Sequence, residues 1–145
     1  MDNLQIVPVD ERDSGWENEH PRFRVYFQRT QGSWVGGWTA TYDITGADIV
    51  QVIDWAQRQA GQVFVYSIAL VYDDRATEQS MPGHGRGLVW LVGMDGNRGD
   101  DDLDPAAADI QRRMVARRRE PVIVPSADQM PPGILEPYSD ANGST

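Results

Sequence analysis

Phe23, Val25 and Phe27 alternate with Arg22, Arg24, Tyr26 and Gln28, the period of two expected of a half-buried strand. Thr30-Gln31-Gly32-Ser33 then reverses the chain. Trp34, Gly36, Trp38, Ala40, Tyr42 and Ile44 follow on a single parity, so the two segments predict an antiparallel hairpin. Gly36-Gly37 marks a bulge or a close backbone approach in its second strand. The period then changes. Thr45 and Asp48 stand three apart as a capping box, and Ile49, Val52, Ile53, Ala56 and Ala60 recur every three or four residues. That spacing predicts a helix with one apolar stripe, ended by Gly61 in the left-handed region.

Two runs differ from both periods. Val63 to Tyr72 and Leu88 to Met94 are nearly continuous in apolar and aromatic residues, as strands covered on both faces are. Between them, residues 73–87 read as a polar loop too long for a tight hairpin turn. Asp95-Gly96-Asn97 signals another turn. Asp104-Pro105 then offers an N-cap and a first helical residue, predicting a second helix to about Arg119. Ala107, Ile110 and Met114 give it a modest apolar stripe. Aspartates precede that helix, and Arg117, Arg118 and Arg119 lie near its end, the layout the helix dipole favours. Val122 to Val124 suffices for one short strand. The expected fold is α+β: a mostly antiparallel sheet of four or five strands, one helix packed on a face and a second at the edge.

At 145 residues the chain has the usual size of one domain. It divides into an acidic arm over residues 1–20, a domain over 21–124 and a Pro-rich tail over 125–145, the tail being expected to be mobile. The formal net charge is −9, which disfavours direct contact with nucleic acid, because neutralising phosphates needs a positive surface. A basic protein is the physical complement of such a surface. All 13 cationic residues are Arg and there is no Cys, so a catalytic lysine, thiolate chemistry and Cys-ligated metals are excluded. Residues 1–13 lack the cationic and apolar regions of a signal peptide, and no run approaches a membrane span. A cytoplasmic location away from membranes is therefore expected.

Candidate chemistry is sparse. Gly83-His84-Gly85-Arg86-Gly87 offers backbone N–H groups and a guanidinium to an anion, but it lacks the Lys-Ser/Thr pair and the strand-before-glycines order of nucleotide motifs. His20 and His84 are the two histidines and are too far apart in sequence to suggest a metal pair. Residues 95–104 fail as a calcium loop in either register, since the sixth position is Asp100 or Pro105 instead of Gly. Nucleophile, zincin and kinase motifs are missing. No catalytic residue, metal ligand or cofactor is assigned, and a non-enzyme is the expectation. The candidate partner-binding residues are Asp100, Asp101, Asp102 and Asp104 for charge, His84 and Arg86 on the loop, and Trp34 and Trp38 as hairpin aromatics of the kind that anchor interfaces.

Phe23-Arg24-Val25-Tyr26-Phe27, residues 42–48 (Tyr42-Asp43-Ile44-Thr45-Gly46-Ala47-Asp48) and residues 87–96, with Trp90 and Asp95-Gly96, resemble small actinobacterial α+β proteins. Some of those serve as immunity proteins beside polymorphic toxins. The resemblance spans residues 22–96 and concerns fold more than function. It implies a non-enzymatic, cytosolic, acidic protein that inhibits a protein partner by occupying its active face. Two other readings stand beside it: a small-molecule or nucleotide-binding domain or enzyme with residues 73–87 as a lid, and an oligomeric structural component.

Overall fold

The computed structural model describes residues 4–29, 40–62, 64–93 and 105–131. Its strands are β1 (Arg22–Arg29), β2 (Ala40–Thr45), β3 (Phe64–Asp73) and β4 (Arg86–Val92), and its helices are α1 (Ile49–Ala60), α2 (Arg75–Ser80) and α3 (Pro105–Ala116). The four strands form one antiparallel sheet in the order β2-β1-β3-β4, so the fold is α+β. Phe23, Val25 and Phe27 stand opposite Ile44, Tyr42 and Ala40 on one side and Leu70, Ile68 and Tyr66 on the other. The alternation read in β1 thus lays one continuous apolar face across three strands.

α1 closes that face. Val52, Trp55, Ala56 and Ala60 are buried, and the Trp55 ring meets Phe27 and Tyr42 edge-on, with both centroid separations 5.9 Å. These contacts add to the area burial of the aromatic side chains themselves. The helix begins one cap later than expected. Asp48, extended at φ −92° and ψ 171°, is the N-cap, and Gln51 completes the box. Thr45 cannot serve, because it still pairs with Arg22 in the sheet. Gly61 ends α1 at φ 55°, its N–H donating to the Gln57 carbonyl.

β3 behaves as the central strand expected, with Val65 to Ala69 buried in succession. β4 does not. It is an edge of the sheet, with Val89 51% and Leu91 44% exposed, and the β3–β4 register shifts between Ile68 and Ala69. An apolar run reports tolerance for burial; it carries no count of neighbouring strands. β4 also stops pairing at Ile68, leaving the start of β3 without that neighbour. The α3 region takes over there: the Tyr66 N–H donates to Met114 Sδ at 3.4 Å, and Arg118 donates to the Phe64 carbonyl at 2.9 Å. Backbone groups inside a core need such partners.

Two further segments depart from the expectation. The polar loop after β3 contains α2, capped by Asp74. Residues Val122 to Val124 form no strand. Instead residues 121–131 run back along α1, where the Gln57 amide both donates to the Val122 carbonyl (2.6 Å) and accepts from the Val122 N–H (3.1 Å). Gln51 donates to the Asp128 carbonyl at 2.7 Å, and Val124 is buried.

Candidate functional site

The glycine loop folds around its own carboxylate. α2 turns Glu78 towards the following residues, and its two oxygens accept from Gly83 N (2.9 Å) and Gly85 N (3.0 Å). The His84 N–H donates to the Met81 carbonyl, and the Gly85 carbonyl accepts from Asp74 N at 2.7 Å. The Asp74 carboxylate is held below its ordinary range chiefly by the Thr77 hydroxyl at 2.6 Å. The N–H groups that suggested an anion cradle therefore already hold an anion, Glu78. Arg86 is equally committed: it pairs with Asp73 through two hydrogen bonds of 2.6 and 3.2 Å. That contact lowers the Asp73 pKa and raises that of Arg86. His84 is exposed beside this loop.

Of the partner-binding candidates, His84 and Arg86 are the two among the described residues, and they are near neighbours in the chain. Trp34, Trp38, Asp100, Asp101, Asp102 and Asp104 lie outside the described residues. Among the described residues no group of three or more His, Asp or Glu is placed to hold a metal ion, and no described helix is long and apolar enough to cross a membrane.

Three surfaces merit weighing in their place. The first is the sheet face opposite α1. There Asp43 accepts from Arg24 (2.6 and 3.1 Å) and from Arg22 (2.9 Å). The Arg24 contact above all, seconded by Arg22, lowers the Asp43 pKa, although partial burial opposes the shift. Beside this cluster the Tyr26 and Trp90 rings lie 5.3 Å apart. The outward parity of Arg22, Arg24 and Tyr26 was readable; their convergence on one aspartate depends on the β1–β2 register.

The second surface is the arm before β1. Every residue from Leu4 to His20 is exposed, and Leu4, Ile6, Val7, Val9 and Trp16 expose between 65% and 91% of their area. Asp10, Glu11, Asp13, Glu17 and Glu19 fall in the same stretch, whose single cation, Arg12, is bonded to Asp10. The Trp16 ring stacks on Tyr72 at 6.0 Å and 25°, which ties the arm to the end of β3.

The third is a cleft of about 280 Å³ between the C-terminal half of α1, the start of β3 and residues 114–123. Phe64, Met114, Val122 and Ile123 give it apolar walls, and Asp54, Tyr66 and Arg117 give it polar groups. Asp54 is 2% exposed and accepts from Arg58 at 3.0 Å. Tyr66 is 5% exposed; burial raises its phenol pKa, with the charge of Arg117 opposing. Sequence patterning had no means of finding this cleft, because its lining comes from three separated segments.

No family model, no curated protein and no solved structure matches this chain.

Proposed function

We propose that this protein is a non-catalytic binding module that recognises a basic protein and acts by occupying its surface, as an inhibitor or immunity-type protein does. The observation that carries the reading is the arm over residues 4–19. Five large apolar side chains stand in water there among five carboxylates. Apolar area left in water forgoes about 25 cal/mol per Å² of burial, and an exposed apolar cluster rimmed by charge is typical of an interaction surface. Carboxylates on the same stretch steer a cationic partner to it, and the apolar side chains then anchor what the field has brought. The net charge of −9 acts in the same direction at long range.

The test is comparative. Protein captured from the source cell's lysate by the unaltered chain is purified and its binding kinetics measured against two variants. Ile6→Ser with Val9→Ser should speed dissociation and leave the salt dependence unchanged. Replacing Asp10, Asp13, Glu17 and Glu19 with their amides should slow association and flatten its salt dependence. Identical kinetics for both variants, or capture of no basic protein at low salt, sinks the reading.

A further inference from the structure

We propose that β4 is a dimerisation edge: it pairs antiparallel with β4 of a second copy of this chain about a two-fold axis at Leu88, joining two four-stranded sheets into one. β4 ends the sheet, and its backbone is bonded on one side to β3. Every second residue of an antiparallel strand turns its N–H and C=O to the other side. Among the described residues no group meets them there. Folded proteins usually blunt such an edge with charges, a proline or polar side chains. β2, at the opposite edge, follows that rule, for its exposed residues are Thr41, Asp43 and Thr45. β4 does not. Residues 87–92 carry no charge and no proline, Val89 and Leu91 are exposed among them, and Tyr72 beside them on β3 is 43% exposed.

Gly87 points the same way. It sits inside the strand opposite Tyr72, requires no positive φ, and a Cβ built on it would meet nothing within 4 Å. Glycine weakens a strand, and where the chain's own backbone does not need it, it marks the close approach of another. Pairing centred on Leu88 sets Gly87 opposite Val89 of the second copy, which fills the open space over it, and symmetry repeats the contact. This register uses the regular stretch over residues 86–90. Leu91, the extra residue where the β3–β4 register shifts, stays outside it. Charge selects the occupant. Each copy carries −9, so two copies meet best through a strip free of carboxylates, whereas a basic protein gains no attraction from such a strip. Arg86, at the end of the strip, is neutralised within its own chain by Asp73. The edge thus matches itself, as an isologous contact must.

The contact does not depend on the arm, and either can fail without the other. A single strand edge is at the small end of interface sizes, so the dimer should dissociate on dilution. Sedimentation equilibrium of the full chain from about 1 µM to about 1 mM should show monomer passing to dimer, with Kd between those limits. Added salt should tighten the dimer by screening the repulsion between the two net charges, the opposite of its effect on a basic partner. Leu88→Lys sets two ammonium groups against each other at the axis and should weaken association at least about tenfold. Val89→Lys, at an exposed position of the same edge, should also weaken it, and the Tm of the dilute monomer should stay within a few degrees of the parent's. Because the chain has no Cys, Leu88→Cys should give a disulfide-linked dimer on mild oxidation, and Thr41→Cys on β2 should not. A monomer throughout the concentration range in added salt, association unaffected by either lysine, or equal cross-linking of Leu88→Cys and Thr41→Cys overturns the proposal.

Discussion

At residue 85 an added Cβ would meet the Glu78 Cβ at 2.6 Å and the Asp74 carbonyl oxygen at 2.9 Å, while the same addition at Gly87 meets nothing within 4 Å. The closeness follows from the chemistry of the loop: Glu78 can reach Gly83 N and Gly85 N only by lying directly against the backbone at 85. Gly85→Ala must therefore displace a carboxylate from two charge-assisted hydrogen bonds or move β4's first residues. Overpacking of this kind typically costs about 1–3 kcal/mol, whereas Gly87→Ala should stay within about 0.5 kcal/mol of the parent. Urea denaturation of the pair decides it, and equal midpoints would show that the loop gives way freely. The residue scale is also where the sequence misleads most. Gly83, Gly85 and Arg86 have the composition of an anion site, but composition is silent on whether the anion is a ligand or the chain's own Glu78, seven residues before Gly85 and turned towards it by a helix too short to announce itself.

At the scale of elements, what was legible followed from periodicity and what was not followed from neighbours. The stripe of α1 and the parity of β1 record which side meets the core, so both were readable and both are found. The position of β4 at an edge and the run of residues 121–131 along α1 depend on which surfaces lie adjacent in space, and no period encodes that. The second case is instructive, because two glutamines do the work. Gln57 presents an amide that pairs with Val122 as a neighbouring strand would, donating to its carbonyl and accepting from its N–H. Gln51, six residues earlier on the helix, holds Asp128. Gln57→Leu keeps the bulk and removes both bonds. Amide exchange at Val122 should then speed up by at least about tenfold, a local opening of roughly 1.4 kcal/mol, while exchange within α1 stays as it was. Unchanged protection at Val122 would mean that Val124 and the apolar contacts alone hold the segment.

For the whole molecule, the excess of carboxylates makes the response to acid informative. Most of the acidic side chains at the arm lie in water and gain little from folding. Asp43 differs, for it sits between Arg24 and Arg22 on the sheet, and the Arg24 contact foremost lowers its pKa in the folded state. A carboxyl with a folded pKa below its unfolded value of about 3.9 binds protons more readily when unfolded. Its contribution is therefore complete well above pH 3.9, and it is lost as the pH falls through the folded pKa. Asp43 and Arg22 are about a third exposed and Arg24 is 23% exposed, so screening by water keeps the worth of the contact to about 1 kcal/mol or less. Asp43→Asn should consequently be less stable than the parent at pH 7 by that amount, and the gap should close as the pH falls through the lowered folded-state pKa of Asp43, where the parent's carboxyl itself takes up a proton. Thermal or urea melts of both proteins from pH 7 to pH 2 measure the gap directly. A constant gap across that range would assign the effect to packing or hydrogen-bond geometry. A gap that closes would make this ion triplet, which joins β1 to β2 across the face away from α1, a fixed part of the sheet's stability, even in a protein whose net charge otherwise repels itself.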